Sequence, residues 1–245
     1  MGAPPLDQVE ELSRLNRAAQ AYVTEASRTE TQANDFIAAR AIDRVTGPDV
    51  LVLGAATGCW MTPLLARFAK VEVVDAVERF VDELVAAYPG RVRGFTALFE
   101  EFQPPSTYDT VIAGHILEHV ADPVVVLQAV ASWLKPGGRV VITVPNADSL
   151  HRQVGVTLGV LPETTAFSAG DVALGHRRVY TRDRLAADIA ASDLSSVELT
   201  GLALKPLSNG QMDAWTDDLR AAWFALGDAH PAMALALLAV AERPA

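Results

Sequence analysis

Three closely spaced residues have side chains that could together bind a divalent metal ion or exchange a proton. They are His115, Glu118 and His119, and on a helix they would share one face because positions three and four residues apart are neighbours. A further histidine, His176, lies in a basic and aromatic stretch at residues 175–181. Imidazole and carboxylate groups bind borderline divalent ions, and imidazole also titrates near neutral pH. The cluster at 115–119 is therefore a candidate metal or acid–base site.

A loop of small residues at positions 53–59 could hold a ligand against the backbone. Gly54 and Gly58 follow an apolar strand directly, so a bound molecule can approach the chain closely. Asp75 ends the next apolar strand, and a carboxylate at that point suits the two hydroxyls of a ribose. A second interpretation stays open, in which the glycines only form a tight turn and Asp75 caps the following helix.

Apolar segments that alternate with amphipathic segments position these residues. Those that fit strands are residues 50–53, 71–74, 91–95, 110–113 and 140–144, followed later by 197–204 and 235–241. Those that fit helices are residues 61–68, 77–88, 123–134, 181–191 and about 215–226. Alternation of this kind, with strands apolar on both faces, predicts a parallel sheet covered by helices on both sides.

We expect one domain of 245 residues with an α/β fold, a doubly wound, Rossmann-like and mostly parallel seven-stranded sheet. Residues 1–47 would form an N-terminal cap, helical from Leu6 to about Val45, and residues 48–146 the cofactor-binding core. Residues 147–178 combine scattered glycine, proline and polar residues with weak periodicity, which predicts a lid inserted after the fifth strand. Residues 179–245 would complete the sheet.

The charge balance restricts the partners of the chain. The formal net charge is −10 and the pI about 4.9, so the basic footprint of a nucleic-acid-binding protein or of an anionic-membrane binder is missing. The single cysteine, Cys59, excludes an intrachain disulfide, and the acidic N-terminal stretch does not resemble a secretory leader. We expect a cytoplasmic protein that acts on a small molecule without nucleic acid or membrane, and the sequence leaves its oligomeric state open.

The order of these motifs resembles that of the class I S-adenosylmethionine-dependent methyltransferases. The matching segments are residues 50–58, 74–75, 108–112, 117–120 and 134–138. The spacing also differs from the glycine pattern of dinucleotide enzymes, and no phosphate-loop lysine is present. The resemblance covers roughly residues 50–146 and is looser on either side. It implies a methyltransferase with S-adenosylmethionine as its cofactor.

Carried over residue by residue, the resemblance implies a set of cofactor contacts. The glycine loop would line the methionine part of the cofactor, and Asp75 would hold its ribose. Leu98 and Phe99 would enclose the adenine ring, because the acid that many members carry near that point is missing here. Arg40 would meet the cofactor carboxylate, unless it is a solvated helix charge. The full set is Arg40, Gly54, Ala55, Ala56, Gly58, Asp75, Ala76, Leu98, Phe99 and His115.

A second resemblance concerns the histidines. The pattern is similar to that of metal-dependent small-RNA 2′-O-methyltransferases and, more loosely, of ubiquinone-pathway O-methyltransferases, which carry Glu-x-x-Glu-His after the fourth strand. His115 replaces the first glutamate, whereas Glu118, His119 and His176 match. The implied ligand set is three imidazoles and one carboxylate. Such a set favours Mn, Fe, Co or Zn over Mg, which prefers oxygen ligands.

Several functions remain open at this stage. The leading one is O-methylation of a small hydroxylated metabolite, such as a sugar or another natural product, because an ion can help to deprotonate a hydroxyl. A metal-free enzyme with His115 or His176 as general base, acting on nitrogen or carbon, is a second. A purely structural role for the histidines, and a cofactor-binding partner or sensor without catalysis, are the remaining alternatives.

Overall fold

The structure, a computed structural model, contains a seven-stranded sheet with the strand order β3-β2-β1-β4-β5-β7-β6. It describes residues 8–24, 27–56 and 58–244, and for residues 21–24 the backbone alone. The strands are β1 (Val50–Leu53), β2 (Val71–Asp75), β3 (Val92–Thr96), β4 (Tyr108–Gly114), β5 (Leu134–Pro145), β6 (Ser195–Leu202) and β7 (Ala236–Glu242). The strands β1 to β5 run parallel, and β7 runs antiparallel to both of its neighbours.

Helices connect and cover the strands. They are α1 (Gln8–Thr24), α2 (Arg28–Ala41), α3 (Met61–Arg67), α4 (Glu78–Ala87), α5 (Pro123–Trp133), α6 (Leu150–Thr157), α7 (Ala169–Ala173), α8 (Arg182–Ala190), α9 (Asn209–Met212) and α10 (Asp217–Ala225). Three short 3₁₀ turns lie at Ile42–Arg44, Leu226–Ala229 and Pro231–Met233. No described helix is both long enough and apolar enough to cross a bilayer.

The predicted mostly parallel, doubly wound sheet is confirmed. All four residues of β1 are buried, and β4 and β5 are buried along most of their length, as expected for strands covered on both faces. The chain pairs with β4 at Leu134 and again from Arg139, and the residues between them bulge out of the ladder around Gly137. The predicted turn at 135–138 is thus an irregularity within β5 rather than a separate loop.

The helical N-terminal region packs over one side of the sheet. Its predicted start, Leu6, lies outside the described residues. The helix α2 begins after Ser27, whose hydroxyl accepts a hydrogen bond from the Glu30 amide at 3.0 Å. Ala33, Ile37 and Ala41 recur at helical spacing on its buried face. This packing places α1 and α2 above the carboxyl ends of β1 and β4.

The segment predicted to be a lid, residues 147–178, contains two helices that its weak periodicity did not predict. Arg152 of α6 is 5% exposed and donates to Asp171 of α7 at 3.1 Å and to the Thr164 carbonyl at 2.6 Å. This buried guanidinium ties both helices together, so the segment is a small folded unit. Its movement as a lid stays a prediction.

Candidate active site

A cavity at the carboxyl ends of β1, β2 and β4 lies against the predicted glycine loop. We call it the glycine-loop cavity; it is open to solvent, and its empty volume including the mouth is about 960 Å³. Most of the predicted cofactor contacts line this cavity, namely Gly54, Ala56, Gly58, Asp75, Ala76, Phe99 and His115. Thr57, within the predicted loop, lies outside the described residues. The lining also contains residues that the sequence did not indicate, among them Leu15 and Ala18 of α1, Asn34 of α2, and Trp60.

The backbone of the loop requires glycine. Gly54 has φ +81° and Gly58 φ +61°, a left-handed region that residues with a Cβ rarely adopt. A Cβ on Gly54 would also lie 2.6 Å from Cδ1 of Ile116. The Gly54 amide donates to the Val74 carbonyl at 2.8 Å, which holds the loop against the end of β2. Gly54 and Gly58 therefore bring their backbone to the cavity surface.

The Asp75 carboxylate binds the backbone on both sides of it, whereas α4 begins after Val77 without a side-chain cap. Its Oδ2 accepts from the Ala55 amide at 2.7 Å and its Oδ1 from the Val77 amide at 2.8 Å, just before α4. The carboxylate also lines the glycine-loop cavity. Burial raises the pKa of Asp75, although the backbone amides lower it in part. The ribose contact itself stays a prediction.

Three of the predicted cofactor contacts do not line the cavity. Arg40 lies on the outer face of α2, where its guanidinium pairs with Asp228 at 3.0 Å and stacks on Phe36. The prediction for Arg40 as a carboxylate ligand is corrected accordingly, because the inner face of α2 carries apolar residues. Leu98 is buried in the core beside the cavity, and Ala55 contributes its amide to Asp75 instead of lining the space.

The segment 115–119 is a turn, so the shared helical face considered from sequence for His115, Glu118 and His119 does not form. His115 has φ +55°, so the chain leaves β4 in a left-handed conformation that cannot continue into a helix. The His115 amide still donates to the Thr143 carbonyl of β5 at 2.8 Å, which extends the parallel ladder by one bond. The next helix, α5, begins only at Pro123, with Asp122 as its cap. Strain of this kind is common at functional sites.

The turn brings Glu118 and His119 together with His176. One ligand atom from each of the three lies within 4.8 Å of the others, and the His119 and His176 rings meet edge to face at 4.7 Å between centroids. His115 does not belong to this group; its Nδ1 donates instead to Glu118 Oε1 at 3.2 Å. The predicted set of four ligands is thus corrected to three that converge, with His115 beside them.

Burial dominates the electrostatics of this cluster. Burial raises the pKa of Glu118, but the hydrogen bond from His115 and the nearby imidazoles lower it more, so the carboxylate is ionised at neutral pH. Burial lowers the pKa of His119 to about 4, so its ring is neutral at pH 7 and has a lone pair on one nitrogen. Within the described residues, Glu118 Oε2 and His115 Nε2 are buried without a hydrogen-bond partner.

His176 is oriented by a carboxylate. Its Nδ1 donates to Asp171 Oδ1 at 2.8 Å, which leaves Nε2 directed to other partners. Asp171 in turn accepts from Arg152 and from the Ser168 amide, and Ser168 caps α7. Burial raises the pKa of Asp171, yet the bonds from His176 and Ser168 and the Arg152 charge hold it far below its usual range. The imidazole therefore has a fixed tautomer and a fixed direction.

Arginines hold the turn in place. Arg178 donates to the carbonyls of Val120 at 2.6 Å and Ala121 at 2.8 Å, and Arg177 donates to the His119 carbonyl at 3.1 Å. Arg14 of α1 reaches the same His119 carbonyl at 3.0 Å. These guanidinium groups thus bind the backbone of the turn, which locks the relative positions of residues 115–119 and 176.

A second cavity, the polar cavity, adjoins the first one. Its polar lining comprises Glu30, Asn34, His115, Glu118, Asn146, His151, Arg152, Ser168, Asp171, His176, Lys205 and Asn209. Asn34 and His115 line both cavities, so the histidine cluster stands in the wall between them. Lys205 and Asn34 were missed from sequence. Lys205 is the single charge in an apolar stretch at residues 202–207, which is a signal that could have identified it.

Comparison with known proteins identifies the family of the chain. The profile of a family described as a methyltransferase domain matches residues 17–199. The chain belongs to the class I S-adenosylmethionine-dependent methyltransferases. A ubiquinone biosynthesis O-methyltransferase of Xanthomonas campestris pv. campestris is 30% identical over 188 residues, or 71% of this chain and 73% of that protein. A protein of the same name from Idiomarina loihiensis is 29% identical over 67% of this chain and 69% of its own length.

A solved structure shares the fold of this methyltransferase. The 1,6-didemethyltoxoflavin N1-methyltransferase of Burkholderia thailandensis, with bound 1,6-didemethyltoxoflavin and S-adenosylhomocysteine, superposes with a TM-score of 0.65. The match covers 100% of this chain and 94% of that one at 18% identity. The methyltransferase thus uses S-adenosylmethionine on a Rossmann-like fold. Binding of this cofactor in the glycine-loop cavity stays a prediction.

Proposed function

We propose that this methyltransferase transfers a methyl group to a hydroxyl of a small metabolite, with a divalent ion bound by Glu118, His119 and His176. The observation that carries the proposal is the position of this cluster between two cavities, one of which fits the cofactor. The names of the two ubiquinone biosynthesis relatives support transfer to oxygen. We propose the polar cavity as the site of the acceptor.

The donor set fits a divalent ion. Two imidazoles and one carboxylate converge, His119 is neutral, and Glu118 Oε2 has no other partner in the described part of the chain. His176 has the arrangement common to metal-binding histidines, in which a carboxylate fixes the second ring nitrogen. Three protein ligands leave open positions for an acceptor, and this mixed set suits Mn, Fe, Co or Zn better than Mg.

The cofactor, the ion and the residues of the site would each have a separate role in the methyl transfer. S-adenosylmethionine supplies a methyl group on a sulfonium, whose leaving thioether is neutral and needs no acid. A divalent ion at the cluster would lower the pKa of an acceptor hydroxyl and hold its oxygen. Gly54 and Gly58 keep the backbone close to the cofactor, and Asp75 holds the loop in place. Leu15 and Ala18 of α1 and Asn34 of α2 form part of the wall of the glycine-loop cavity.

A metal-free mechanism is the second candidate, and one observation favours it. The Asp171–His176 pair has the geometry of a general base held by a carboxylate, with 2.8 Å between Oδ1 and Nδ1. In that case His176 would take the proton of the acceptor directly, and an amine or an activated carbon would also serve as acceptor.

A cobalt titration separates the two candidates. Co²⁺ should bind the wild type with a stoichiometry of one and a visible absorption spectrum that reports imidazole ligands. His176→Gln should weaken Co²⁺ binding by at least about tenfold, with unchanged affinity for S-adenosylmethionine. His230→Gln removes an exposed histidine away from the cluster and should change neither. Equal Co²⁺ binding by wild type and His176→Gln would contradict the metal proposal and favour the general base.

A further inference from the structure

Lys205 is a buried cation that the site described so far does not use. It follows β6, is 6% exposed, and lines the polar cavity. Its Nζ donates to Asn209 Oδ1 at 2.6 Å, and no carboxylate of the described residues lies within 4.0 Å of it. An ammonium group has three protons to donate, so one neutral amide leaves it under-satisfied. A buried charge is costly unless it is paired.

The neighbours of Lys205 hold it without neutralising it. Asn209 donates through Nδ2 to Glu30 Oε2 at 3.2 Å, so Glu30 orients the amide rather than the ammonium. Burial lowers the pKa of Lys205, Glu30, Asp171 and Asp213 raise it in part, and the Arg152 charge lowers it; the net result is a pKa of about 8. At pH 7 the group is therefore mainly an ammonium that faces a cavity.

His151 provides a second polar atom in the same cavity. It belongs to α6, and its Nδ1 is buried without a hydrogen-bond partner among the described residues. Burial lowers the pKa of His151 well below its ordinary value, and the charges of Lys205 and Arg152 act in the same direction. Its neutral ring carries one N–H that can donate to a ligand.

Arg152, the other lysine or arginine that lines the polar cavity, is already paired with a carboxylate. Arg152 donates to Asp171 and to two carbonyls, and Asp171 also binds His176. Glu118 accepts from His115. Lys205 is therefore the positive charge of the polar cavity that a ligand can still pair with, and the nearby carboxylates of Glu30 and Asp171 disfavour a ligand with two negative charges.

From this arrangement we infer that Lys205 and His151 form a subsite for a carboxylate, so that the methyl acceptor is a hydroxylated acid. The carboxylate subsite does not depend on the proposed function; only the statement that the bound acid is the methyl acceptor rests on it. Both residues share the cavity with Glu118 and His176, which places the carboxylate and the reacting hydroxyl on one small molecule. The ion pair with Lys205 would select acids over their neutral esters.

Matched acid and ester pairs test the subsite by calorimetry on enzyme saturated with S-adenosylhomocysteine. The probes are 3,4-dihydroxybenzoate, 2,3-dihydroxypropanoate, the methyl ester of each, and the phosphate monoester of catechol. The wild type should bind at least one acid about tenfold more tightly than its ester, as expected for a buried charge-assisted hydrogen bond. Lys205→Met should abolish that preference and leave ester affinity unchanged. Lys70→Met, which removes an exposed lysine, should behave as the wild type.

The outcomes separate this inference from the proposed function. Each titration is run with and without Co²⁺; a preference for the acid that persists without metal supports the subsite even if the ion is never bound. Unfolding temperature and S-adenosylhomocysteine affinity show whether Lys205→Met is folded, and Lys205→Arg provides a second variant that keeps the charge. Equal binding of acid and ester by the wild type, no binding of either acid, or tighter binding of the phosphate would overturn the inference.

Discussion

Two residues of the site, Gly54 and His115, both have a left-handed backbone conformation. Gly54 is needed for its backbone angle and for the space beside Ile116, whereas His115 accepts a left-handed conformation without being glycine. Gly54 was identified from the loop pattern alone. The left-handed conformation of His115, with φ +55°, was not predicted from the sequence. Side-chain spacing predicts which residues are neighbours only when the backbone is regular.

The glycine loop provides the first residue-scale prediction. Gly54→Ala should lower the affinity for S-adenosylmethionine by at least about tenfold, because the new methyl group displaces Ile116 and distorts the cavity. Gly90→Ala is the matched control, since Gly90 has φ +73° and no atom lies within 4 Å of the place that an added methyl group would take. Each variant should lose about 1–2 kcal/mol of stability from the left-handed strain. Calorimetry that finds equal cofactor affinity in both variants would show that the loop is not at the cofactor.

The second residue-scale prediction concerns the carboxylate behind His176. Asp171→Asn should weaken Co²⁺ binding about 10- to 100-fold, as expected when the group that orients a metal-binding imidazole is altered. Asp188→Asn is the control, because Asp188 is also buried and bound to Tyr180 and Arg184 but lies outside the polar cavity. Similar Co²⁺ affinity in the two variants, both checked for folding, would speak against an orienting role for Asp171.

At the scale of elements, the sequence predicted the regular parts well. The strands β1, β4 and β5 could be recognised because burial on both faces makes them apolar throughout. The helices α6 and α7 could not, because their stability comes from Arg152 and Asp171 rather than from an apolar stripe. Lys205 was missed although it is the single charge of residues 202–207, because the sequence does not show that this charge is buried beside a cavity.

The segment at 147–178 gives a prediction about motion. It carries His176 and is joined to the rest of the polar cavity, so an ion at the cluster would link it to the turn at 115–119. Amide hydrogen exchange in this segment should slow when S-adenosylhomocysteine and Co²⁺ are added together, whereas exchange in β5 should stay unchanged. Identical exchange of residues 147–178 with and without these ligands would argue against a lid.

At the scale of the whole molecule, the net charge bears on which of two families the histidine pattern resembles more closely. These are the small-RNA 2′-O-methyltransferases and the ubiquinone-pathway O-methyltransferases. The net charge of −10 disfavours contact with a phosphate backbone, and the guanidinium groups of Arg177 and Arg178 donate to carbonyls of the turn. We therefore expect no retention of a short RNA duplex in a filter-binding assay at 50 mM salt, roughly the condition that most favours electrostatic binding. Salt-sensitive micromolar binding would reassign the acceptor to RNA.

The central claim is that Glu118, His119 and His176 bind one ion between the cofactor and the acceptor. Crystals grown with S-adenosylhomocysteine and Co²⁺, measured on both sides of the cobalt absorption edge, test it directly. We predict one anomalous peak about 2.0–2.2 Å from a nitrogen of each histidine and an oxygen of Glu118, the range for such ligands. The glycine-loop cavity should hold S-adenosylhomocysteine in the same crystals. Bound S-adenosylhomocysteine without any anomalous peak among these three side chains would contradict the account.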